Sequence, residues 1–379
     1  MQNKENILID CTFFDGSWTA AESTVVYAGR LLQGLLKYSS SQVCVLIWKG
    51  TESLIDNIVG QEVDKIVLDK KYPQAYKRHL YRISGFLPRI LKKEIHKRGI
   101  TIVLHPHCFD VFFHFRKPIK YFAVLHDLFL YDIRKDKFLY YPWRLYRKIM
   151  IKRIPHLISI SQSTHDELLR RDGKESMVIY NSIAFDFNIA EQQIEAIVGK
   201  KYILDVNRFL RYKNAETLIR AFYILKDDIP HLLYLKGDQN NEEDRKGLET
   251  LVEELKIKDR VIFDPSYRTE GEMRYLYTHA DLFVSPSLKE GFGWTPIEAV
   301  IMKTPTIVSD ISVFKEVTCG KIPMFNPYSP DNLAIHMKDM LTNPPSEKAK
   351  TSLASFFMNR YSLETQISHL ISCIASEEE

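Results

Sequence analysis

The sequence has few cysteines and no cysteine pattern. The five cysteines lie at positions 11, 44, 108, 319 and 373, an odd number without C-x-x-C spacing. This arrangement favours neither a disulfide framework nor a zinc site, so no structural metal is expected. The plain interpretation is a protein of a reducing compartment, the cytoplasm.

Long apolar runs are also missing. No stretch approaches the ~20 apolar residues that a membrane-spanning helix needs. The segment Met1 to Asp10 has an acid among its first residues and a short apolar run at 7–9, unlike the basic start and longer apolar core of a signal peptide. We therefore expect a chain that does not cross a membrane, although it could lie on a membrane surface.

Net charge is small but unevenly distributed. The 379 residues carry a formal charge of +4, and 45% of them are hydrophobic, which excludes a disordered or fibrous chain. Residues 1–200 hold 30 basic and 21 acidic side chains, and residues 201–379 hold 22 and 27. The two halves, at +9 and −5, are expected to meet different partners.

Short apolar runs rich in β-branched residues alternate with longer helical patterns, as in βαβ units. The first series comprises 7–9, 43–48, 65–68, 102–104, 121–125 and 157–160; the second comprises 202–206, 232–235, 261–263, 282–284 and 306–308. The pattern predicts an α/β protein with two doubly wound, Rossmann-like domains, 1–183 and 184–359. A helical tail within 352–374 is expected to return to the first domain, to which we assign residues 360–379. Ligands of open parallel sheets bind outside the carboxyl ends of the strands, so the cleft between the domains is the expected site.

The strongest local signal is the segment SPSLKEGFGWTPIEAV at 285–300. A strand runs into a loop with Glu290, Gly291 and Gly293, and then into a helix that carries Glu298. The glycines let the backbone approach a ligand, and helix-start amides suit an anion. Alternatively, Glu290 only caps the helix and Glu298 lies on a solvated face.

Two cations follow the first strand of the second half. Arg208 comes directly after the strand, and Lys213 precedes the next helix, in LDVNRFLRYKNAETLIRAF at 204–222. A guanidinium fork and an ammonium at a strand end suit a diphosphate. Alternatively, both only pair with nearby acids.

A further motif lies in the basic half. His126 and Asp127 directly follow the strand in AVLHDLFLYD, although a lone histidine in this place is often structural.

Four stretches together resemble the large retaining glycosyltransferase family 4 (glycosyl transferases group 1), whose members have the GT-B fold. In chain order they are LHD at 125–127, VIYNSI at 178–183, VNRFLRYKN at 206–214 and EGFGWTPIE at 290–298. The last contains the family's E-x7-E element. Agreement continues through 277–287 and 304–317, so the resemblance covers nearly all of the second half and, more weakly, the first.

The resemblance implies transfer of a sugar from a nucleotide-diphosphate donor, a GDP- or UDP-sugar, with retention and without a metal or cofactor. Arg208 and Lys213 would bind the diphosphate and stabilise charge on the leaving group. Glu298 would bind the ribose hydroxyls, and Glu290 would contact the donor sugar. The leaving diphosphate itself would assist deprotonation of the acceptor, so no protein general base is implied.

The resemblance implies further contacts through backbone and first-domain residues. The amides of Gly291, Phe292 and Gly293 would approach the sugar or phosphate, and His126 would reach the sugar. Asn181 and Ser182 would lie at the domain junction. The sequence departs from the family pattern at Ser182 and Asn207, where glycine is common, at Thr295, where proline is usual, and near Gly16, where a glycine-rich loop is usual.

Two basic stretches lie in the first half. Residues 70–98 hold ten Lys or Arg and one acid, and residues 133–153 hold eight bases and one acid among interleaved aromatic residues. This composition suits an anionic membrane surface, and a solvated face of the domain is the alternative. No nucleic-acid motif accompanies these stretches, so nucleic acid is not an expected partner.

The expected protein is a cytoplasmic glycosyltransferase, peripheral on the inner face of the cell membrane. It would extend a glycan or lipid-linked acceptor in bacterial surface polysaccharide synthesis. Alternatives are another GT-B enzyme, such as a nucleotide-sugar epimerase or a phosphorylase, and a non-catalytic adaptor that binds a membrane or a partner. A phosphorylase would need a pyridoxal-phosphate lysine, and no candidate is identified for one.

Overall fold

The computed structural model describes residues 5–13, 23–69, 86–108, 119–129, 140–183, 185–239 and 241–376. Gly16, segment 70–85 of the first basic stretch and segment 133–139 of the second lie outside these described residues. The chain divides into two compact units, one formed by Met1–Ala184 with Leu363–Glu379 and the other by Phe185–Ser362.

The first unit alternates strands and helices along the chain. Its described elements are β1 (Asn6–Asp10), α1 (Ser23–Tyr38), β2 (Gln42–Trp48), α2 (Glu52–Val59), β3 (Asp64–Leu68), α3 (Phe86–Lys97), β4 (Ile102–His105), β5 (Lys120–Leu125), α4 (Tyr140–Arg153), β6 (His156–Ser159), α5 (Gln162–Asp172) and β7 (Met177–Val178). Within the described residues the strands form a parallel sheet of order β3-β2-β1-β4-β5-β6-β7. The order reverses between β1 and β4.

The strands of the first unit are apolar because both faces of their sheet are covered. One apolar cluster joins Leu8, Leu46 and Trp48 to residues of α3. Another joins Leu125 of β5 to residues of α4 and α5. The indole Nε1 of the buried Trp48 donates a 2.7 Å hydrogen bond to the carbonyl of Thr12, which fixes the chain just beyond β1.

The second unit repeats the pattern. Its described elements are β8 (Tyr202–Val206), α6 (Ala215–Leu225), β9 (Leu232–Lys236), α7 (Glu242–Glu254), β10 (Val261–Asp264), α8 (Glu270–Thr278), β11 (Leu282–Ser285), α9 (Trp294–Ile301), β12 (Thr306–Ser309), α10 (Ser312–Val317), β13 (Met324–Phe325), α11 (Pro330–Thr342) and α12 (Glu347–Arg360). In the described part of the unit, the parallel sheet has the order β10-β9-β8-β11-β12-β13. The order reverses between β8 and β11, which pair through Leu282 with Ile203 and Phe283 with Leu204.

Alternating side chains of β8 and β11 enter two cores, one on each face of the second sheet. Ile203, Leu282 and Val284 belong to the core that includes α6, α7 and α11. Leu204 and Phe283 belong to the core that includes α8 and α9. The side-chain period of two in a strand produces this division.

The tail contains two helices rather than one. The sequence predicts helix from 352 to 374, but α12 ends at Arg360 and a final helix, α13 (Leu363–Ser376), follows. Tyr361 leaves the helical conformation, and its hydroxyl donates a 2.6 Å hydrogen bond to the carbonyl of Val317 in the second unit. The predicted helical tail is therefore interrupted at residues 361–362, between α12 and α13.

The final helix α13 packs on α1 of the first unit. Gly34 of α1 allows the close approach, since a Cβ at this position would lie 2.5 Å from Cγ1 of Ile367. The predicted fold class, two doubly wound domains with a C-terminal helix that returns to the first, is confirmed. None of the helices in the described ranges has the length and apolar character that crossing a bilayer requires.

Candidate active site

Two loops leave the carboxyl ends of the neighbouring strands β8 and β11, where the sheet order of the second unit reverses. Residues 207–214, here the β8 loop, carry Arg208 and Lys213, and residues 286–293, here the β11 loop, carry Glu290. Ligands of open α/β sheets bind at such a reversal. The sequence motifs of the second half therefore meet at the place where the topology favours a ligand.

Hydrogen bonds join the two loops. Asn214 is in the left-handed conformation at φ 61°, and its side-chain amide donates to the carbonyls of Pro286 at 3.0 Å and Pro327 at 2.8 Å. The backbone N–H of Leu288 donates to the carbonyl of Tyr212 at 2.8 Å. These contacts lie on both sides of Lys213 and hold it against the β11 loop.

Lys213 and Glu290 form an ion pair with 2.6 Å between Nζ and Oε1, and their side chains are only 14% and 11% exposed. The hydroxyl of Ser287 donates to the same oxygen at 2.8 Å. Glu290 is not the N-cap residue of α9, because Gly293 occupies that position. The Glu290 side chain is instead paired with Lys213 and Ser287.

Arg208 is more exposed than Lys213. Its Nε lies 2.6 Å from Oδ2 of Asp238, which follows β9, and the Arg208 side chain is 57% exposed. Both predicted cations thus pair with carboxylates in the second unit. The sequence offers no signal for Asp238, because this residue lies 30 positions from Arg208 and stands in no local motif.

A buried carboxyl group lies at the end of β8. Asp205 is 3% exposed, and the side-chain amide of Asn207 donates to its Oδ1 at 2.5 Å. Burial raises the Asp205 pKa to about 7, although the Asn207 hydrogen bond and the Lys213 charge oppose the shift. Asn207 stands where a glycine is common in the family, and in this chain its side chain binds Asp205.

The remaining predicted residues of the second unit lie on the β11 loop and α9. Glu298 is partly exposed, and its Oε2 accepts a 2.9 Å hydrogen bond from the hydroxyl of Tyr277. Phe292 is buried with its ring edge-on to Tyr361, so the backbone is what Phe292 can offer a ligand. Gly293 has φ +87°, and a Cβ there would lie 2.5 Å from the ring of Phe314. Gly291 is partly buried beside them.

His126 lies directly after β5 in the first unit. Its Nε2 is 2.8 Å from the carbonyl oxygen of Pro106, and the edge of the Tyr27 ring packs against it with centroids 4.8 Å apart. Burial and the neighbouring His107 lower the His126 pKa to about 4, so the ring is neutral at pH 7. Because a carbonyl only accepts, Nε2 carries the proton and Nδ1 is left as an acceptor.

Asn181 and Ser182 follow β7 in the first unit and are 1% and 2% exposed. Among the residues that the structure describes, the buried Oδ1 atom of Asn181 has no hydrogen-bond partner, which is uncommon for a polar atom in a protein interior. The predicted residues thus fall into two groups. His126, Asn181 and Ser182 belong to the first unit, and the others belong to the second. In the described ranges no group of three or more metal-ligating side chains is placed to hold a metal ion.

Two family models match successive parts of the chain. The model described as Glycosyltransferase Family 4 matches residues 25–187, and the model described as Glycosyl transferases group 1 matches residues 186–354. The first match covers β2 to β7 of the first sheet, and the second match covers all six described strands of the second sheet.

Curated relatives include bacterial mannosyltransferases. The O-antigen chain mannosyltransferase RfbU of Salmonella typhimurium is 31% identical over 211 residues, 52% of this chain and 56% of that protein. The serotype-specific mannosyltransferase WbdA of Escherichia coli is 26% identical over 245 residues, 60% of this chain and 30% of that protein. The chain therefore spans about half or less of the length of these relatives.

Solved glycosyltransferases share the fold along nearly the whole chain. A glycosyltransferase from Rickettsia africae has a TM-score of 0.70 at 18% identity, with 98% of each chain covered. WaaG, a glycosyltransferase involved in lipopolysaccharide biosynthesis, has a TM-score of 0.64 at 13% identity, with 96% of this chain and 99% of that chain covered. With both family models matched in order and this fold, the chain belongs to the GT-B glycosyltransferases of the group 1 and family 4 type.

Proposed function

We propose that the chain is a retaining hexosyltransferase that moves a sugar from a nucleotide-diphosphate donor to a glycan or lipid-linked acceptor. The observation that carries the proposal is the Lys213–Glu290 pair, held between two joined loops at the reversal of the second sheet. Mannose is the first sugar to consider, because the curated relatives RfbU and WbdA are named as mannosyltransferases. GDP-mannose is accordingly the first donor, and a UDP-sugar is the second.

The donor diphosphate would bind Arg208 and Lys213. Arg208 would contribute the half-exposed guanidinium and Lys213 the largely buried ammonium. Negative charge grows on the leaving diphosphate as the glycosidic bond breaks, and fixed cations in a partly dry site stabilise that charge. We propose that these two side chains supply the positive charge, without a metal ion or cofactor.

The donor sugar and ribose would contact the β11 loop and α9. Glu290 would accept hydrogen bonds from the sugar, and the amides of Gly291, Phe292 and Gly293 would donate to the sugar or phosphate. Glu298 would bind the ribose hydroxyls. His126, neutral and with Nδ1 as an acceptor, suits a sugar hydroxyl better than an anionic group. Deprotonation of the acceptor would be assisted by the leaving diphosphate, so no general base is assigned.

The acceptor would be a growing surface polysaccharide or a lipid-linked oligosaccharide. The names of the relatives support this class, since RfbU is named for O-antigen chains and WaaG for lipopolysaccharide biosynthesis. We also propose that the protein works on the cytoplasmic side of the membrane, where nucleotide sugars and such a lipid carrier would meet.

An exposed face of α4 supports a membrane contact. Arg144, Lys148 and Lys152 are exposed on this helix, and Leu145 and Ile149 between them are 60% and 43% exposed. We call these five residues the α4 stripe. Basic side chains with interleaved apolar ones suit an anionic bilayer surface.

Turnover of a donor panel tests the proposal. Purified full chain would be incubated with UDP-, GDP- and dTDP-sugars and a lipid-linked acceptor, with EDTA present, and products would be followed by mass spectrometry. We expect one donor to be consumed, GDP-mannose first, and NMR of the product to show the donor's anomeric configuration. A product with the inverted configuration would contradict retention, and a requirement for divalent cations would contradict catalysis without a metal. An absence of binding to every donor would contradict the transferase proposal itself.

A further inference from the structure

Tyr277 is a buried residue of α8 to which the family resemblance assigns no role. Its side chain is fully buried, with the ring 5.8 Å from that of Phe283 and edge-on to Phe185 at 6.2 Å. A buried tyrosine hydroxyl normally needs a hydrogen-bond partner. The partner is Oε2 of Glu298, 2.9 Å away on α9.

The direction of this hydrogen bond is fixed by its chemistry. Burial first and the Glu298 charge second raise the pKa of the Tyr277 phenol well above its usual range, so the phenol keeps its proton. An ionised carboxylate can only accept, so the phenol donates. The bond therefore holds one oxygen of Glu298 in place and sets the orientation of the carboxylate.

The backbone around Tyr277 is also tied to α9. The hydroxyl of Thr304 donates to the carbonyl of Tyr277 at 2.5 Å, and the N–H of Thr304 donates to the carbonyl of Ala299 at 3.0 Å. Thr304 thus connects the end of α8 to the helix that carries Glu298. The phenol cannot easily move away from Glu298, because its own helix is fixed to α9.

We propose that Tyr277 is a positioning residue for donor binding, because its hydroxyl holds the Glu298 carboxylate in the orientation that receives ribose hydroxyls. The inference rests on the proposed role of Glu298 and deepens it. Fixing one oxygen of a glutamate side chain before a ligand arrives removes part of the rotamer entropy that binding would otherwise cost, which improves affinity. Tyr277 thereby affects binding of the nucleoside more than the rate of sugar transfer.

Tyr277→Phe removes the hydroxyl and keeps the ring. Tyr202→Phe is the matched control, since Tyr202 is buried in the same core and its hydroxyl donates to the carbonyl of Leu276 at 2.7 Å. Calorimetric titration of the full chain with GDP and UDP should show about tenfold weaker binding for Tyr277→Phe, the loss of one hydrogen-bonded positioning contact. Tyr202→Phe should bind as the wild type does, and kcat at saturating donor should change less than about twofold in both.

Nucleotides without ribose hydroxyls separate positioning from a general loss of structure. With 2′,3′-dideoxy nucleoside diphosphates, Tyr277→Phe and the wild type should bind equally. An equal loss of affinity for both nucleotide types would indicate damage to the core and overturn the inference. Unchanged affinity of Tyr277→Phe for GDP and UDP would overturn it as well.

A double-mutant cycle with Glu298→Gln keeps the test independent of stability. Because Tyr277 is proposed to act through Glu298, Tyr277→Phe should have little further effect in a Glu298→Gln background. Fully additive effects in this cycle would contradict the inference. If the wild type binds no nucleoside diphosphate at all, the proposed function fails, which is a distinguishable outcome from a Tyr277→Phe variant that binds normally.

Discussion

The Nζ atom of Lys213 lies 2.6 Å from Oε1 of Glu290, so two residues separated by 77 positions in the sequence are partners. The pairing neutralises two charges that are mostly buried, which lowers the cost of keeping either one away from water. A donor diphosphate would compete with Glu290 for the ammonium. We therefore expect the pair to loosen as Glu290 turns to the sugar.

Substitution of the pair separates catalysis from stability. Lys213→Met or Glu290→Gln should each lower kcat/KM by roughly 100-fold or more, because Lys213 would stabilise charge on the leaving diphosphate and Glu290 would hold the donor sugar. Each should also lower the free energy of unfolding by about 2 kcal/mol, since the partner charge stays behind largely buried. The measurements are steady-state turnover of the identified donor and urea unfolding.

The Lys213→Met/Glu290→Gln double variant is the informative comparison. It should recover stability, because no unpaired charge remains, and still lack activity. Lys246→Ala is a matched control, since Lys246 pairs with Glu242 at 2.8 Å on the exposed surface of α7. Recovery of activity in the double variant would show that the pair serves only the fold.

Asp238 is expected to weaken donor binding. It holds Arg208 at 2.6 Å and adds a negative charge beside the proposed diphosphate site. Asp238→Asn should free the guanidinium and tighten binding of GDP or UDP by roughly three- to fivefold at low salt, an effect that salt should screen. Weaker binding by this variant would instead mean that Asp238 orients Arg208 productively.

Asp205 is expected to make stability depend on pH. The ordinary pKa is 3.8, and burial raises it to about 7 in the folded chain, beside Lys213 and Glu290. The folded state therefore holds a proton that the unfolded state releases, so this contribution is full below about pH 4 and lost as pH rises through 7. Asp205→Asn should be more stable than the wild type at pH 8, on the order of 2 kcal/mol, and lose that advantage at low pH.

Urea unfolding of both proteins at pH 4.5 and pH 8 checks this prediction. The asparagine can still accept the hydrogen bond from Asn207, so packing is preserved. A stability difference that is the same at both pH values would contradict the raised pKa of Asp205.

The α4 stripe is expected to bind anionic vesicles. The triple variant Arg144→Glu/Lys148→Glu/Lys152→Glu should lower the binding constant for phosphatidylglycerol vesicles at least about 100-fold, because each lost base contributes roughly 1 kcal/mol. Vesicle sedimentation measures this constant. Lys246→Glu/Lys258→Glu/Lys338→Glu changes the net charge equally on exposed side chains of the second unit. Equal losses in both triple variants, or wild-type binding that ignores salt and anionic lipid, would favour a solvated face.

Much of the fold follows from local pattern. The apolar runs at 202–206 and 282–284 are strands because buried parallel strands need continuous β-branched and aromatic residues, and the structure places β8 and β11 there. The tail was harder to predict. Apolar periodicity continues through 352–374, but the structure interrupts the helix at 361–362, where the Tyr361 hydroxyl donates to the carbonyl of Val317.

The candidate site is also only partly predictable from the sequence. Lys213, Glu290 and Glu298 stand in motifs and could be found from sequence. The partners of Arg208 and Glu298 could not, because Asp238 and Tyr277 reach these two side chains through the sheet order rather than through spacing along the chain. Tyr277 does stand within the stretch 277–287 that resembles the family, but only the contact with Glu298 gives its hydroxyl a role.

Calorimetric titration of GDP and UDP into the wild type, Arg208→Ala and Lys213→Met tests the proposed donor site most directly. The wild type should bind one of the two nucleotides, and each substitution should weaken that binding about tenfold, since each removes a charge-assisted contact to the diphosphate. Equal affinity in all three proteins would contradict a diphosphate site at Arg208 and Lys213.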